Sequence, residues 1–346
     1  MISKAKILSD LFGYNPVDLE FDKVVKLKNT IDQEYGIQVI FNYYRKHGFP
    51  YHKIREDEKH QHMRKMQKFD TNTIFNENKI TQTMHGLRLC WSYFPHAWSV
   101  KCGGAKYTPL DIYNDDEKFK SAIRKCWNMF NHVNDNTIRK ILKIHTNSQA
   151  VSNFRPSAAK LIYEKFGGDV IWDMSCGWGG RLIGFLASSR KRYIGTEPSS
   201  LTFEGLQKIK KDFFYLKKSV ELHRLGSEEF IPDRNSLDLC FTSPPYFDTE
   251  KYSDENTQSY IKFPTKEEWV NGFLRKTIEN CYRGLKDGKY MLINIANTPK
   301  YKFIEEETQK IAKELGFVQN DTLQLTLSSV MGAGYKYEPI FVFKKK

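Results

Sequence analysis

The carboxy-terminal part of the chain alternates between short apolar runs and segments in which apolar residues recur at helical spacing. The first run, Val170-Ile171-Trp172, predicts a buried strand, and a helical pattern begins at Leu182. Further strands are predicted at residues 193–196, 220–224, 237–241, 289–296, 317–327 and 337–343. Helices are predicted between them, at residues 157–165, 265–285 and 303–315. Strands that alternate with helices predict an open α/β sheet over residues 151–346.

Residues 1–150 show a different pattern, which is mainly helical and polar. Ile37, Ile40 and Phe41 lie at helical spacing within residues 31–46, and further helices are predicted at 115–130 and 136–144. Residues 85–109 combine aromatic residues with glycines and predict a compact, loop-rich element. The polar residues 146–149 indicate a domain boundary, so we expect domains at residues 1–150 and 151–346.

A tight turn joins the first predicted strand to its helix. Asp173 ends the strand, and Gly177, Gly179 and Gly180 follow. Glycine is favoured where the backbone turns sharply or approaches a ligand, and the helix start offers unpaired N–H groups to an anionic ligand. A dinucleotide fingerprint requires a third glycine where Leu182 stands, and no Lys-Ser/Thr pair follows as in a P-loop. The turn therefore predicts a ligand loop of another type.

Two more strand ends carry candidate ligand-binding residues. Glu197 ends the second predicted strand, where an acidic side chain is placed to accept hydrogen bonds from ribose hydroxyls. The fourth strand runs into Ser243-Pro244-Pro245-Tyr246. The prolines fix the backbone and leave carbonyl oxygens without competing donors. Ser243 and the Pro244 carbonyl would orient an exocyclic amine by accepting its hydrogens, and Tyr246 would stack on a base.

These segments resemble those of a known enzyme family. The pattern D-x-x-x-G-x-G from Asp173 to Gly179 resembles the S-adenosylmethionine (AdoMet) loop of Rossmann-like methyltransferases. S-P-P-Y resembles the [DNS]-P-P-[YFW] motif of amino-methyltransferases that modify adenine N6 or cytosine N4. Phe154 and Pro156 match an F-x-P segment that precedes the loop in that family. The order of the three segments is similar to the gamma arrangement of DNA amino-methyltransferases.

The resemblance implies a class I methyltransferase fold with a seven-stranded mixed sheet, preceded by a mainly helical domain. It implies AdoMet as cofactor and no metal, and in the family pattern the loop after the third strand touches the adenine. Ser227 or Glu228 stands there in place of the usual aspartate. The expected cofactor-binding residues are Phe154, Pro156, Asp173, Gly177, Gly179, Glu197 and Ser227, and the expected catalytic residues are Ser243, Pro244, Pro245 and Tyr246.

The expected reaction is direct attack of the amine on the methyl group, with a target base flipped out of duplex DNA. It requires no cysteine nucleophile, so Cys176 and Cys240 are interpreted as small buried residues. The polar residues 247–263 are long enough for a mobile lid. Serine before the prolines leaves adenine N6 and cytosine N4 both open.

The net charge of +13 favours a polyanionic partner. Residues 1–150 contribute +8, with 24 Lys and Arg against 16 Asp and Glu. DNA is preferred over RNA because no RNA-binding module is visible in residues 1–150. An RNA base methyltransferase, a protein-glutamine methyltransferase and a non-catalytic DNA-binding protein remain alternatives, and the oligomeric state is open.

Other classes of protein are disfavoured. His85, Cys90, His96 and Cys102 are spaced five or six residues apart, which matches no common zinc-finger pattern. The six cysteines contain no CxxC pair, which favours reduced thiols and a cytoplasmic location. No apolar run approaches a membrane span, and the first residues lack the apolar segment of a signal peptide.

Overall fold

A computed structural model describes residues 16–330 and 334–346. The expectation about a signal peptide falls on residues outside these ranges. The chain divides into two compact units. The first contains the described residues up to 52 and Ala97–Val151, and the second contains Lys53–His96 and Ser152–Lys346. Within the described residues, no helix is both long and apolar enough to cross a membrane.

The first unit is helical, and its elements confirm the predicted helices to within two residues at each end. Tyr44, Phe119 and Trp127 belong to its apolar core, where Tyr44 also donates a 3.0 Å hydrogen bond to Asp135. A Cβ atom on Gly36 would lie 2.5 Å from the Trp127 ring, so glycine allows this close packing. The helices are Pro16–Lys26, Gln33–His47, Pro109–Asn114, Asp116–Met129 and Asp135–Ile144, and Lys101–Cys102 is a two-residue strand.

The second unit is built on one mixed sheet, whose strands we number β1–β9 in chain order. Its spatial order is β1-β2-β8-β9-β7-β6-β3-β4-β5. Strands β5, β4, β3, β6 and β7 run parallel, and β9 is antiparallel to both β7 and β8. The strands are β1 Phe75–Asn76, β2 Lys79–Ile80, β3 Val170–Asp173, β4 Arg192–Thr196, β5 Ser219–His223, β6 Leu237–Thr242, β7 Leu285–Asn294, β8 Phe317–Val330 and β9 Gly334–Lys345.

Strands β3–β9 confirm the predicted α/β fold and have the Rossmann-like methyltransferase topology, with one antiparallel strand inserted next to β7. The predicted count of seven strands is wrong, because β1 and β2 extend the edge of the sheet. Strand β2 pairs in parallel with β8 through Lys79 and Ile80. Two-residue strands are too short to produce the periodic pattern from which strands are predicted.

Helices cover the sheet and connect its strands. Thr265 and Glu268 form a capping box, and the helix that it opens contains a π-helical turn at Val270–Arg275. A further two-residue strand, Glu250–Lys251, lies outside the main sheet. The α-helices are Glu56–Lys68, Leu87–Trp91, Pro156–Phe166, Gly180–Ala187, Ser200–Asp212, Ser259–Lys262, Lys266–Trp269, Lys276–Gly284 and Ile304–Glu314.

The predicted single domain over residues 1–150 requires a correction, because residues 53–96 pack within the second unit. The buried Lys160 ammonium donates to the carbonyl oxygens that end the helix Glu56–Lys68, at 2.8 to 3.1 Å. The Phe94 ring lies so close to Gly205 that a Cβ atom there would come within 2.4 Å of it. The sequence pattern of these residues does not indicate which residues they contact, so the assignment of residues 53–96 to the second unit could not be predicted.

Candidate active site

The carboxyl ends of β3, β4, β5 and β6 meet at one edge of the sheet because these strands are parallel. The predicted site residues follow these ends. Asp173 ends β3, Glu197 follows β4, Ser227 lies in the loop after β5, and Ser243 follows β6. In open α/β sheets, ligands bind at this edge. The strand order therefore brings residues from four separate segments towards one site.

The glycine loop after β3 has the backbone geometry that its sequence predicts. Gly177 and Gly179 have φ angles of +53° and +69°, which favour glycine over residues with a side chain. Gly179 is the N-cap of the helix Gly180–Ala187. The carboxylate of Glu197 accepts hydrogen bonds from the Gly177 N–H at 2.9 Å and from the Ser199 N–H at 3.0 Å. This carboxylate therefore joins the loop after β3 to the end of β4.

Burial raises the pKa of Glu197 to about 7, although the hydrogen bonds from Ser199 and Gly177 oppose this shift. Each carboxylate oxygen accepts one hydrogen bond from the backbone and retains acceptor capacity. A ribose of AdoMet offers hydroxyl donors, so Glu197 fits the predicted role. The geometry of the glycine loop and this acceptor together are compatible with AdoMet.

Asp173 is placed differently from the prediction that it binds the cofactor, because its carboxylate is fully buried and bonded to protein groups. Arg181 Nε donates to both of its oxygens at 2.9 and 3.0 Å, and the Tyr193 hydroxyl donates at 2.7 Å. Thr242 Oγ1 donates at 3.3 Å from the end of β6. Asp173 thus stabilises the glycine loop through contacts with protein groups. Arg181 is a partner of Asp173 that the sequence interpretation missed.

The Arg181 guanidinium also donates to the Ser175 carbonyl oxygen. Burial opposes its charge, but the charge and hydrogen bonds of Asp173 and the smaller contributions of Tyr193 and Tyr163 together raise the pKa of Arg181. Arg181 and Asp173 are therefore a buried ion pair that fixes the start of the glycine loop.

The F-x-P segment lies directly against this loop. A Cβ atom on Gly180 would come within 1.9 Å of the Phe154 carbonyl oxygen, and the Asn153 amide donates to the Trp178 carbonyl at 2.9 Å. The Phe154 ring packs edge-on against Phe241 of β6, with 5.3 Å between centroids. Pro156 begins the helix Pro156–Phe166. Gly180 and Asn153 are therefore structural contributors that the motif comparison did not single out.

The loop after β5 distinguishes between Ser227 and Glu228. Ser227 Oγ is buried and forms a 2.7 Å hydrogen bond with Thr277 Oγ1, so its side chain is directed at a helix. One oxygen of Glu228 pairs with Lys262 at 2.7 Å. The other oxygen is buried and has no hydrogen-bond partner among the described residues. The Ser227 hydroxyl is thus engaged by a protein group, and Glu228 remains the alternative for the predicted adenine contact.

S-P-P-Y forms a partly buried turn after β6. Pro244 is buried, whereas Ser243, Pro245 and Tyr246 retain some exposure. The Tyr246 hydroxyl donates to the Asn294 carbonyl oxygen at the end of β7, at 3.3 Å. Burial raises the pKa of this phenol well above its usual value. The hydroxyl group is thereby held at the sheet edge, and the partly buried ring packs against the apolar core of the second unit.

Glu338 of β9 is a further charged residue near the end of β7 that the sequence interpretation missed. Ile340, two residues further on, pairs with Asn294, so Glu338 lies just past the end of β7. Burial raises the pKa of its carboxyl group. The available signal was a single acidic residue in a strand whose other charged residues are lysines.

The segment after S-P-P-Y, predicted as a lid, is tied to the cofactor side of the sheet. The Glu255 carboxylate accepts from the Ser200 N–H at 3.1 Å and from its hydroxyl at 3.0 Å. Thr257 donates to the Pro198 carbonyl oxygen at 3.2 Å. Tyr252 packs against Trp178 of the glycine loop, with 5.9 Å between ring centroids. The segment therefore runs over the residues that follow β4.

Comparison with known proteins adds a family assignment for part of the chain. Residues 237–346, which begin at β6 and include S-P-P-Y, match the family model described as DNA methylase. The match confirms the resemblance to DNA amino-methyltransferases and supports AdoMet as the cofactor. No curated protein is significantly similar to the chain.

Several solved structures are similar to the chain at a low level. A TehB-like AdoMet-dependent methyltransferase from Corynebacterium glutamicum is 16% identical with a TM-score of 0.36, covering 56% of this chain and 90% of the other. A Methanosarcina mazei AdoMet-dependent methyltransferase is 13% identical with a TM-score of 0.37, covering 54% and 96%. A Pyrococcus furiosus methyltransferase is 15% identical with a TM-score of 0.38, covering 55% and 82%. The fold assignment rests on strand order and not on these similarities.

Proposed function

We propose that this AdoMet-dependent methyltransferase methylates the exocyclic amino group of a DNA base, adenine N6 or cytosine N4. The observation that carries the proposal is the position of S-P-P-Y at the carboxyl end of β6, beside the glycine loop. Thr242, directly before the motif, is hydrogen-bonded to Asp173 at the end of β3. The DNA methylase match over residues 237–346 supports the same assignment.

The residues of the motif supply orientation. Ser243 Oγ and the Pro244 carbonyl oxygen accept hydrogen bonds from the target amine and direct its lone pair at the methyl group. Tyr246 stacks on the base while its hydroxyl is held by the Asn294 carbonyl. Bound AdoMet supplies an electrophilic methyl group, so the protein contributes mainly positioning and electrostatic stabilisation. A base in duplex DNA is reached by flipping it out of the stack.

The two cysteines of the site region do not act as nucleophiles in this mechanism. Cys176 and Cys240 are buried, and burial raises the pKa of both thiols well above the usual value. A thiol with a raised pKa carries little of the reactive thiolate at neutral pH. Direct transfer to the amine therefore agrees with the chemistry of the side chains present.

The positive charge supports a nucleic acid as the substrate. The chain carries a net charge of +13, which favours a polyanion through counterion release. DNA is the proposed substrate because the matched family is one of DNA methylases.

The test is expression in a host that lacks DNA methylation, followed by sequencing of genomic DNA with detection of N6-methyladenine and N4-methylcytosine. A modified base in a fixed sequence context supports the proposal and identifies the base. Absence of modified DNA, with AdoMet binding confirmed by calorimetry, contradicts it and redirects the search to RNA or protein substrates. Gly179→Asp is the control, because a side chain at its φ of +69° disrupts the loop and should abolish AdoMet binding.

A further inference from the structure

The segment that follows S-P-P-Y is anchored first to the residues that follow β4. Glu255 accepts hydrogen bonds from the N–H and the hydroxyl of Ser200. Thr257 donates to the Pro198 carbonyl oxygen at 3.2 Å. Pro198 directly follows Glu197, the expected ribose-binding residue. The segment is therefore held beside the part of the site that is expected to bind the ribose of AdoMet.

A second set of contacts anchors the segment to the loop after β5. The Lys262 ammonium group lies 2.7 Å from a carboxylate oxygen of Glu228 and 2.5 Å from one of Glu229. The Tyr260 hydroxyl donates to the Ser253 carbonyl oxygen at 2.7 Å, which joins the two parts of the segment. Because β4 and β5 are neighbouring parallel strands, the segment extends across the carboxyl ends of both.

Gln258 lies in the chain between these two sets of anchors and carries a buried donor without a partner. The residue is 4% exposed, and its side-chain nitrogen Nε2 has no hydrogen-bond partner among the described residues. Gln258 is the N-cap of the helix Ser259–Lys262, yet its side chain forms no capping hydrogen bond. An unpaired buried donor costs free energy, and buried polar groups are normally hydrogen-bonded. The Gln258 amide therefore indicates a partner that the described protein does not supply.

The adenosine part of AdoMet has the chemistry to be this partner. The unsubstituted ring nitrogens of adenine accept hydrogen bonds and do not donate them, so they match an amide N–H. Lys262 holds one carboxylate oxygen of Glu228, while the other is buried and also without a partner in the described part of the chain. Adenine presents an amino donor beside a ring-nitrogen acceptor, which complements a carboxylate oxygen together with an amide N–H.

We propose that the side-chain amide of Gln258 donates a hydrogen bond to the adenosine part of AdoMet, so that Gln258 is a cofactor-binding residue. The contact comes from the segment after S-P-P-Y and not from the glycine loop. This assignment rests on the proposed function, since it concerns the methyl donor of that reaction, but it does not depend on which base receives the methyl group.

The test measures AdoMet binding by calorimetry and the thermal unfolding midpoint with and without AdoMet. Gln258→Met and Gln258→Leu both replace the amide by an apolar side chain of similar size, so that one variant is informative if the other packs poorly. Gln309→Leu is the matched control, because the Gln309 amide donates to the Glu305 carbonyl oxygen within its own helix. Binding of 5′-methylthioadenosine, which lacks the amino-acid part of AdoMet, is measured with the same variants.

We expect the Gln258 variants to raise the dissociation constant for AdoMet about tenfold, because an acceptor on the ligand loses its hydrogen bond in a buried site. The same loss should appear with 5′-methylthioadenosine. The ligand-free unfolding midpoint should not fall, because the amide nitrogen has no partner among the described residues to lose. The increase in the midpoint that AdoMet produces should become smaller. Gln309→Leu should bind both ligands as wild type does.

Three results would overturn the inference. Unchanged AdoMet affinity in both Gln258 variants would remove the residue from the cofactor site. A loss of affinity confined to AdoMet would move the contact to the amino-acid part of the ligand. A ligand-free midpoint that is lowered in both variants would give the amide a role in the fold instead.

Failure of the proposed function is distinguishable from failure of this inference. Wild-type protein that binds AdoMet but transfers no methyl group to DNA contradicts the proposed substrate alone, because the Gln258 contact is measured by binding. Wild-type protein that binds no AdoMet contradicts both.

Discussion

The carboxylate of Glu197 accepts a hydrogen bond from the backbone N–H of Gly177, with 2.9 Å between nitrogen and oxygen. This hydrogen bond couples the conformation of the glycine loop to the protonation state of an acidic side chain that directly follows β4. Because burial raises the pKa of Glu197 to about 7, this charge state changes within the physiological range.

AdoMet affinity should fall as the pH is lowered from 8 to 6. The folded pKa of Glu197 is raised from 4.5 to about 7, so the carboxylate is ionised above pH 7 and gains a proton below it. The ionised form accepts hydrogen bonds from ribose hydroxyls, whereas protonation removes part of this capacity. We expect the dissociation constant to rise by up to about tenfold per pH unit below 7, measured by calorimetry.

Glu197→Gln is the variant that tests this assignment. It should bind AdoMet weakly and with little pH dependence over the same range. A wild-type dissociation constant that is constant between pH 6 and 8 would exclude Glu197 as a group whose ionisation controls binding.

Glu228→Ala should weaken AdoMet binding, because it removes the buried oxygen that has no partner within the described protein. Glu229→Ala is a closely matched control, since Glu229 also pairs with Lys262 but is half exposed. We expect about a tenfold or larger increase in the dissociation constant for Glu228→Ala, and little change for Glu229→Ala. Equal effects would indicate that only the Lys262 ion pairs matter.

Arg181→Met should destabilise the fold because it leaves the Asp173 carboxylate buried without its charged partner. Loss of one member of a buried pair costs about 3–5 kcal/mol of unfolding free energy, measured by chemical denaturation. Adding Asp173→Asn should recover part of this loss. Lys191→Met, which breaks an exposed pair with Asp169, should change little; a comparable loss there would contradict the distinction.

Gly180→Ala should disrupt the contact between the F-x-P segment and the glycine loop. The new Cβ atom would lie 1.9 Å from the Phe154 carbonyl oxygen, and backbone must move to relieve this clash. We expect a loss of at least about 1–3 kcal/mol in unfolding free energy and weaker AdoMet binding. Gly104→Ala, where nothing lies within 4 Å of the added atom, should be nearly neutral. Wild-type behaviour of Gly180→Ala would refute the close approach.

Tyr246→Ala should abolish most methyl transfer while leaving AdoMet binding largely intact. The variant loses the ring that is proposed to stack on the base. The Tyr246 hydroxyl donates to Asn294, and no hydrogen bond joins Tyr246 to the glycine loop or to Glu197 among the described residues. Single-turnover transfer and calorimetry measure the two effects separately. Unchanged turnover at saturating DNA would remove Tyr246 from the site.

The sequence predicted the parallel core of the sheet well, because buried strands are continuous apolar runs bounded by glycine and proline. Strand β7 shows the limit of this approach. The strand begins at Leu285 in the structure. It was predicted to begin only at residue 289, because Lys286-Asp287-Gly288 resembles a turn in sequence. Pairing with β6 passes from Leu285 directly to Tyr290, and Gly288 has a φ of +76°, so the intervening residues form an irregularity that the structure includes in the strand.

The backbone conformation of the candidate site was predictable where glycine is required, as at Gly177 and Gly179. Glu228 was named only as an alternative to Ser227, and Glu338 was assigned no role, since the surroundings of a side chain depend on which neighbours it meets after folding. For the same reason, the pairing of Asp173 with Arg181 could not be recognised from residue spacing alone.

The chain passes between its two units after residues 52, 96 and 151, so the catalytic unit is discontinuous in sequence. A deletion of residues 1–150 would remove β1, β2 and the helix whose carboxyl end Lys160 caps. Inactivity of such a truncated protein would reveal nothing about the first unit. A version that starts at residue 53 and replaces 97–151 with a flexible linker would retain every segment of the second unit, and would make the contribution of the first unit measurable by subtraction.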